Sequence, residues 1–508
     1  MINLDNLKSK EADICLILEG TYPFVSGGVS NWVYELIRVF PKYRFAAIFL
    51  GTRAEDYNEP HYPLPKNLVH LEAHYLFEKP TPPSYKNKKI DKKTLTKIEL
   101  MHDKFAPFIS DESTTIPELF ELLTDSEHIN EDLFLRSKVS WQFITERYSQ
   151  RCPDQSFFDY FWGVRNLHRP FWLLENIVNN VPKFKVLHSA STGYAGFLGA
   201  LLQKKYAIPY ILTEHGIYTK ERWMELMRNY FFERTDKARQ TLNDNDILFS
   251  IWIRFFAVLG KVSYCAANPI ISLTEEYQNR QIKDGALASR TKIISYGIDF
   301  EHYRFLDKKP HQNKPVIACV GRVVPIKDIK TFIRACALII QKIPAVEVWI
   351  VGPTKEDPEY VKTCQNLIKI LALEHKIKIL GAQNMMEIYP KIDLVILSSI
   401  SEGSPFVMLE SFAIGIPVVA TNVGGCGELI YGKSTEDKLQ GRAGRLVDIA
   451  DPVTMAAAAI ELLQDEKAWI QSQQTGLTRV KTHYSMNQLI ENYDLIYEEA
   501  MAYGRDRV

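Results

Sequence analysis

One pattern recurs along this chain and constrains its fold more than any other feature: a short apolar run, a loop, and then a helical segment. Runs of this kind include those that begin at Asp13, Val186, Ile211, Pro315 and Asp393. A short continuous apolar run is typical of a strand that is buried on both faces. Strands that alternate with helices predict a parallel sheet covered by helices, so we expect an α/β protein with doubly wound sheets.

The length of the chain predicts two such domains, because 508 residues with 46% hydrophobic content are enough for two cores. We expect a first domain at 1–310, interrupted by a mostly helical insertion at about 75–175. A second domain at 311–484 and a helical C-terminal segment at 485–508 follow. The expected strands of the second domain are 316–320, 346–351, 377–380, 393–397 and 417–420.

The charge of the chain argues against a partner that is bound by a general electrostatic field. The formal net charge is zero and the pI is about 7.2. Nucleic-acid-binding domains usually carry a basic surplus, so we expect no nucleic acid partner. Seven scattered cysteines, without a Cys-x-x-Cys pair, fit free thiols in a reducing compartment.

Two segments bear on the location of the protein. The first eight residues lack the basic start and the apolar block of a signal peptide, so we expect a cytoplasmic protein. Residues 247–265 are apolar, but Arg254 and Lys261 divide them into stretches shorter than the roughly 20 residues that cross a bilayer. We favour a core helix here. The alternative is an interfacial helix that holds the protein peripherally at the inner face of the cell membrane.

Two glutamates lie eight residues apart after the apolar run 393–397. Glu402 is on a predicted loop, and Glu410 is inside the helix that is predicted from Pro405 to Ile414. Ligands of open parallel sheets bind beyond the carboxyl ends of the strands, where helix N-termini attract negative charge. Both acids are therefore candidate binding residues. The candidates at the helix start itself are Ser404, Pro405, Phe406 and Val407.

Two basic residues follow another predicted strand, Pro315 to Val320. Arg322 lies directly after the strand, and Lys327 lies five residues further along. Arginine can clasp a phosphate with two parallel hydrogen bonds and lysine supplies a compact charge, so the pair suits a pyrophosphate. If the segment stood alone, a solvated surface pair would be an equal alternative. The glycine-rich loop from Asn422 to Glu428 also favours a phosphate-bearing ligand.

Glycines and histidines stand at the ends of predicted strands in the first half of the chain. Gly27 and Gly28 precede a helix predicted at 30–40, and adjacent glycines let a backbone approach a ligand closely. The loop is neither a Gly-x-Gly-x-x-Gly fingerprint nor a P-loop, which argues against oxidoreductase and kinase-like enzymes. His188 and His215 stand at two further strand ends, although a lone histidine is more often structural than catalytic.

Together, the motifs resemble those of the retaining glycosyltransferases of family 4, which have the two-domain GT-B architecture. In chain order they are Gly321-Arg322, Lys327, Glu402-x7-Glu410 and Gly424-Gly425-x-x-Glu428. The resemblance extends over most of the chain and is strongest at about 315–430. It implies two Rossmann-like domains that face a cleft, with a C-terminal helix that crosses back to the first domain.

The resemblance implies a role for each candidate in the second domain. Arg322 and Lys327 would neutralise the departing pyrophosphate, helped by the N–H groups at the helix start. Glu402 would bind the transferred sugar, and Glu410 would bind the ribose of the donor. The acceptor would attack from the side that the leaving group vacates, so the anomeric configuration would be retained.

In the first domain, the resemblance implies that Gly27 and Gly28 lie near the donor. It places His215 against the transferred sugar as a catalytic residue. His188 and Glu214 are further candidates on the acceptor or sugar side. Because no Asp-x-Asp motif stands in a suitable loop, we expect transfer without a metal ion and without any other cofactor.

Three longer stretches, at 19–32, 188–196 and 213–218, resemble one subfamily, the cytosolic glycosyltransferases of Pel-type bacterial exopolysaccharide synthesis. This finer resemblance implies a UDP-sugar donor that carries a hexose or N-acetylhexosamine. It also implies a growing polysaccharide as acceptor, and a membrane-embedded polysaccharide synthase complex is a further candidate partner.

Two alternatives belong to other functional classes. One is a catalytically inactive subunit that binds a nucleotide sugar and acts as a scaffold in a synthase complex, but a scaffold has no chemical need for Arg322, Lys327, Glu402 and Glu410 together. The other is a phosphorylase with the same architecture that uses pyridoxal phosphate. The absorbance of that cofactor in the purified protein would distinguish it.

Overall fold

The computed structural model describes residues 7–78, 96, 99, 137–154, 156–233, 247–303 and 314–505. These residues form two compact units. Unit 1 comprises the described residues within 1–272, 278–292 and 495–508, and unit 2 comprises those within 273–277 and 293–494. We keep the sequence-based limits at residues 310 and 484 as predictions of where the two domains divide.

Unit 1 contains a seven-stranded sheet in the order β3-β2-β1-β4-β5-β6-β7, and the pairs from β3 to β6 are parallel. The order reverses between β1 and β4, which is the Rossmann arrangement. The strands are β1 Glu11–Glu19, β2 Phe45–Gly51, β3 Leu68–Tyr75, β4 Lys183–Ser189, β5 Tyr210–Glu214, β6 Ile270–Ser272 and β7 Thr291–Ile293. All seven residues of β2 are buried, as the continuous apolar run predicts.

The helices of unit 1 cover its sheet and include the described part of the predicted insertion. They are α1 Gly28–Val39, α2 Lys138–Arg151, α3 Phe157–Asn180, α4 Gly193–Tyr206, α5 Tyr218–Glu233, α6 Ile247–Ala266 and α7 Glu275–Lys283. The sequence predicts a mostly helical insertion, and most of its described residues lie in α2 and α3. Most of its first part, 79–136, falls outside the described residues, as do 304–313 of the predicted linker.

Helix α6 is the apolar segment with two predicted alternatives. By length and composition, its window Phe249–Ala266 could cross a membrane, but half of the window is buried in the protein, and core helices pass the same test. Its Phe255, Leu259 and Val262 belong to the core of unit 1. A Cβ at Gly196 of α4 would fall 2.5 Å from Ser263 Oγ of α6, so the two helices approach closely. These contacts are those of the core helix that the sequence favoured.

Unit 2 contains a six-stranded sheet in the order β10-β9-β8-β11-β12-β13, with all neighbouring pairs parallel. The strands are β8 Val316–Val320, β9 Glu347–Val351, β10 Ile377–Gly381, β11 Leu394–Leu397, β12 Val418–Thr421 and β13 Gly444–Val447. The five predicted strands are present. The sixth, β13, was missed because it is short and half-buried at the sheet edge, so it shows no continuous apolar run.

The helices of unit 2 alternate with its strands. After a short turn α8 Phe300–Tyr303, they are α9 Ile329–Lys342, α10 Pro358–Ile370, α11 Met385–Ile388, α12 Phe406–Ile414, α13 Cys426–Tyr431, α14 Thr435–Leu439, α15 Pro452–Gln464, α16 Glu466–His483 and α17 Met486–Arg505. From Leu495 onward, α17 belongs to unit 1. The two Rossmann-like sheets with their helices confirm the predicted fold class.

Candidate functional site

The candidate site of unit 2 lies where the strand order reverses. Strands β8 and β11 are neighbours, and the chain leaves them in opposite directions across the sheet. The loops that follow them are bonded to each other. The Ile400 N–H donates to the Ile326 carbonyl at 2.8 Å, and the Ser398 hydroxyl donates to the Lys327 carbonyl at 2.8 Å. Loops distant in sequence therefore meet at the carboxyl edge of the sheet, where ligands of such folds bind.

Glu402 and Lys327 form an ion pair at this point. Lys327 Nζ lies 2.5 Å from Glu402 Oε1, and the Ser399 hydroxyl donates to the same oxygen. The side chains of Lys327 and Glu402 are 19% and 9% exposed, so water and salt screen the pair only in part. Glu402 Oε2 accepts no hydrogen bond from the described residues. That oxygen can accept a bond from a ligand hydroxyl.

Two tyrosines hold the carboxyl group of Glu410 in α12. The Tyr389 hydroxyl donates to Oε2 at 2.5 Å, and the Tyr303 hydroxyl donates to Oε1 at 3.4 Å. Burial raises the pKa of Glu410, and the two tyrosine hydroxyls oppose this increase only in part. A ligand that donates hydroxyl hydrogen bonds to this carboxylate would favour its ionised form.

The start of α12 is open toward the same edge of the sheet. Pro405 occupies the N-cap position, one residue before the helix begins, and no side chain within the described ranges caps it. Ser404 is buried, Val407 is half-buried, and the ring of Phe406 stacks on Tyr296 with 4.0 Å between centroids. The N–H groups of the first helical turn carry partial positive charge and attract anions.

Arg322 stands apart from the other predicted residues of unit 2. Its Nη1 lies 2.5 Å from Glu356 Oε1, and both side chains are more than two-fifths exposed. An exposed ion pair of this kind contributes about 0–1 kcal/mol, so the guanidinium can exchange Glu356 for a phosphate at small cost. The structure therefore joins Lys327 to Glu402 but leaves Arg322 on a different carboxylate.

The glycine-rich loop after β12 is packed against the loop that carries Glu402. Gly424 has φ +52°, and a Cβ on it would fall 1.9 Å from the Glu402 carbonyl oxygen. The Gly425 N–H donates to the Gly403 carbonyl at 2.7 Å. Glu428 contacts the first residue of α7, since its Oε1 accepts the Glu275 N–H at 2.8 Å. These glycines therefore allow two loops to touch, a role that the sequence did not predict.

In unit 1, the predicted glycines lie at the start of α1. Gly27 is the N-cap residue with extended backbone, and its N–H donates to the Tyr62 hydroxyl at 3.3 Å. A Cβ on Gly27 would meet nothing within 4 Å, and Gly28 is exposed. The backbone here is accessible to a ligand of unit 1.

The two predicted histidines are buried in unit 1. His188 contacts the Tyr497 hydroxyl through Nδ1 and the Thr213 hydroxyl through Nε2, each at 2.8 Å. His215 packs against the Trp32 ring with 4.3 Å between centroids. Burial lowers the pKa of each histidine to about 3, so both imidazoles are neutral at physiological pH. Both ring nitrogens of His188 are therefore engaged in hydrogen bonds within unit 1.

Glu214 is buried and receives four hydrogen bonds from the protein. The Tyr264 hydroxyl and the Gln281 amide donate to Oε2, at 2.7 and 3.1 Å. The Tyr218 N–H and the Thr192 hydroxyl donate to Oε1, at 3.1 and 3.2 Å. Burial raises the pKa of Glu214, while these donors lower it. In this structure the carboxyl group connects β5, α5, α6 and α7.

Glu19, which the sequence did not single out, occupies the anion-attracting position of unit 1. It ends β1, and its Oε2 accepts the N–H groups of Tyr194 and Ala195 at 2.9 and 3.2 Å, at the start of α4. Its Oε1 accepts the Tyr218 hydroxyl at 2.6 Å and lies 3.5 Å from Arg222. The helix start at the strand reversal of unit 1 is therefore filled by a carboxylate, whereas that of unit 2 is open.

Other residues of the site were also missed by sequence reasoning. They are Ser399, Tyr303, Tyr389 and Tyr277. Ser399 stands three residues before Glu402, a spacing that could have indicated it. The tyrosines come from distant segments, and nothing local in the sequence indicates their contacts.

Two Rossmann-like sheets, each with a reversal of strand order, define the class of the fold, which is the GT-B architecture. The structure of Anabaena HepE in complex with UDP and glucose superposes with a TM-score of 0.56 at 15% identity, covering 96% of this chain and 99% of that one. At that identity the likeness establishes the fold alone.

Two family descriptions match the sequence. Residues 12–289, more than half of the chain, match the family described as Domain of unknown function (DUF3492), and the chain belongs to that family. Residues 314–465 match Glycosyl transferases group 1.

Curated relatives match over shorter lengths. N-acetyl-alpha-D-glucosaminyl L-malate synthase of Bacillus anthracis is 27% identical over 37% of this chain and 47% of its own length. The capsular polysaccharide biosynthesis glycosyltransferase CapM of Staphylococcus aureus is 24% identical over 47% of this chain and 64% of its own length. The chain thus spans about half to two thirds of these relatives.

Proposed function

We propose that this protein is a retaining glycosyltransferase that transfers a hexose or N-acetylhexosamine from a UDP-sugar to a growing exopolysaccharide. The observation that carries the proposal is the open edge of unit 2. There an uncapped helix start, the Lys327–Glu402 pair and Glu410 lie on loops and a helix after adjacent strands. In unit 1 the corresponding helix start is already occupied by Glu19.

The donor is bound by unit 2 in this proposal. Its diphosphate lies at the start of α12 and near Lys327, and Arg322 leaves Glu356 to join it. The ribose hydroxyls donate to Glu410, and the sugar hydroxyls donate to Glu402 Oε2. As the bond between sugar and diphosphate breaks, negative charge grows on the leaving phosphate. Preorganised N–H groups and cations stabilise that charge more strongly than they stabilise the bound donor.

The remaining parts of the proposal concern the acceptor, the role of His215 and the choice of donor nucleotide. The acceptor attacks from the face that the diphosphate vacates, so an α-linked donor gives an α-linkage. A neutral His215 can donate or accept a hydrogen bond at the sugar but carries no charge there. The UDP preference is supported by HepE, which was solved with UDP and glucose. The polysaccharide acceptor is supported by the capsular polysaccharide enzyme CapM.

The finer proposal is the Pel-type subfamily to which PelF belongs, in the cytoplasm, with a membrane-embedded synthase complex as partner. It rests on the motif stretches of the first half of the chain. Transfer requires neither a metal ion nor another cofactor. If a chelator abolished activity and magnesium or manganese restored it, the metal-independent mechanism would be rejected.

The first experiment is a thermal-shift titration of the full chain with UDP, GDP, ADP and their sugar conjugates. A ligand at 100 times its Kd stabilises the folded state by about 2.7 kcal/mol. We expect selective stabilisation by uridine compounds, followed by transfer from the UDP-sugar that stabilises most. Proton NMR of the product then determines whether the linkage is α.

The outcomes separate the proposal from its competitors. Binding of UDP-sugars without transfer to any polysaccharide acceptor would favour the inactive scaffold subunit. A melting point that no nucleotide changes would contradict a nucleotide-sugar site altogether. A β-linkage from an α-donor would keep the transferase but reject retention.

A further inference from the structure

A short segment from the first domain predicted from the sequence, 1–310, forms part of the candidate site. Leu273–Tyr277 follows β6 and includes the first residues of α7, yet these five residues belong to unit 2. Thr274 and Tyr277 are 2% and 4% exposed. The Ser295 hydroxyl of unit 2 donates to the Leu273 carbonyl at 2.9 Å and helps to fix the segment there.

Three contacts link this segment to the two loops of the site. The Tyr277 hydroxyl donates to the backbone carbonyl of Glu402. The Glu275 N–H donates to Glu428 Oε1 at 2.8 Å. A Cβ on Gly425 would fall 2.9 Å from Thr274 Cγ2, so the backbone of that loop touches the threonine methyl. The segment therefore holds both the Glu402 loop and the glycine-rich loop.

The carbonyl of Glu402 is enclosed from two directions. The Tyr277 hydroxyl donates a hydrogen bond to this oxygen from one direction. From another direction, the backbone of Gly424 packs against the oxygen so closely that no side chain fits at that glycine. The backbone around Glu402 sets where its carboxylate points. Fixing the carbonyl thus helps to hold Oε1 against Lys327 and leaves Oε2 available to a ligand.

We propose that Tyr277 is a positioning residue for Glu402, and this inference rests on the proposed transferase function. Tyr277 does not touch substrate in this proposal. It acts by holding the Glu402 backbone so that the carboxylate meets the transferred sugar in one orientation. Misplacement of a substrate-positioning group by about 1 Å can cost up to 10²-fold in rate, although loss of one hydrogen bond alone costs less.

The test is Tyr277→Phe in the full chain, which removes the hydroxyl and keeps the buried ring. We expect kcat for sugar transfer to fall about 3- to 10-fold, the equivalent of one net hydrogen bond. The affinity for UDP should change less than about 2-fold, because Glu402 contacts the sugar and not the nucleotide. Tyr206→Phe is the control for loss of a hydroxyl that donates to a backbone carbonyl, because the Tyr206 hydroxyl donates to that of Val178 in unit 1, at an exposed position.

Two results would overturn the positioning role. One is a Tyr277→Phe enzyme with the kcat of the wild type. The other is a loss of UDP affinity as large as the loss of kcat, which would indicate general damage to unit 2. Melting temperatures of both variants show whether the chain still folds, and a change in Tyr277→Phe no larger than in Tyr206→Phe would exclude simple destabilisation.

A binding measurement distinguishes this inference from the proposed function itself. If the wild type transfers no sugar, the transferase proposal fails. Calorimetric titration then compares UDP-sugar with UDP for the wild type and for Tyr277→Phe. A selective loss of the affinity that the sugar contributes supports positioning of Glu402, and an unchanged difference between the two ligands rejects it.

Discussion

Lys327 and Glu402 show how single residues of this site gain their properties from backbone contacts. The backbones of their two loops are bonded to each other, which places the cation against the carboxylate before any ligand arrives. Such a prearranged charge need not reorganise during the reaction, which is why preorganised sites stabilise transition states well.

Lys327 should contribute directly to catalysis. In Lys327→Gln the charge that faces the leaving diphosphate is lost, and we expect kcat to fall on the order of 10²-fold, as for loss of one preorganised donor. Lys378→Gln is the matched control, because Lys378 also pairs with a glutamate of unit 2, Glu347, at an exposed position. Steady-state transfer rates check both variants. Equal rates for the two would remove Lys327 from the chemistry.

Glu410 provides a prediction about pH. Its pKa in the folded protein is raised above the ordinary value of 4.5, chiefly by burial. Between the two values the folded state keeps a proton that the unfolded state has released, so stability falls as pH rises through this window. Glu410→Gln should therefore increase the free energy of unfolding at pH 8 by about 0.5–2 kcal/mol, a common gain at a functional position, and should weaken UDP binding.

Urea denaturation at pH 8 and pH 4 measures this effect, and the gain should disappear at the lower pH. Glu347→Gln is the control of opposite sign. Hydrogen bonds from Lys378 and Trp349 lower the pKa of Glu347, so its substitution should bring no gain at pH 8. A gain for Glu410→Gln that is equal at both pH values would contradict the explanation by ionisation.

At the scale of elements, the two helices that start at the strand reversals differ in how their N-termini are satisfied. Helix α4 of unit 1 is capped by Glu19 from β1, while α12 of unit 2 has Pro405 at its N-cap and no capping side chain among the described residues. A capped helix start is stable but cannot bind an anion. An open one is available to a diphosphate.

The prediction for this element is that Glu19→Ala destabilises unit 1. The substitution removes the cap of helix α4 and the carboxylate that Tyr218 and Arg222 contact. We expect the free energy of unfolding to fall by about 1–2 kcal/mol. Glu225→Ala is the control, because Glu225 is an exposed partner of the same Arg222 and should cost less than about 0.5 kcal/mol. Chemical denaturation checks the pair. UDP affinity should be unchanged in both variants, and a Glu19→Ala protein as stable as Glu225→Ala would refute the capping role.

At the scale of the whole molecule, each unit has its own sheet and its own core, so each can respond separately to pH. Three histidines are buried in the described part of unit 1: His168, His188 and His215. Burial lowers their pKa values to about 4, 3 and 3. Unfolded histidines bind protons below about pH 6.5, whereas these folded ones bind them only as the pH approaches their lowered pKa values.

The sign of the effect follows from that difference. Below about pH 6.5 the unfolded state of unit 1 binds more protons than the folded state. The part of the unfolding free energy that the three neutral histidines contribute is therefore fully present above this pH and is lost as pH falls toward 3. We expect calorimetry between pH 7.5 and 5 to show one transition that falls steeply, assigned to unit 1, and another that UDP raises, assigned to unit 2. Removing His168 by His168→Gln should reduce the pH dependence, while His375→Gln, at an exposed position in unit 2, should not. Transitions with equal pH dependence would contradict this account.

Local sequence was sufficient for the main elements of the fold. The apolar runs before Arg322 and before Glu402 are strands β8 and β11, because a strand that is buried on both faces needs a continuous apolar sequence. The segment after Pro405 is helix α12, as predicted. The relation of loops to strand ends also followed from the chain, since parallel strands place all their carboxyl ends at one edge. The edge strand β13 was not predicted, because a half-buried strand has a weaker apolar sequence pattern than a fully buried one.

What the sequence alone determined, then, is the class of the fold and the loops that carry the site. The tertiary structure decided which partners those side chains have: Glu356 for Arg322, two tyrosines for Glu410, Glu19 for the start of α4 and Tyr277 for the Glu402 loop. The physical reason is the separation along the sequence of the residues that form each interaction. Strands and helices are encoded by the periodicity of neighbouring residues, whereas these hydrogen bonds join residues that come together only after the sheets have formed.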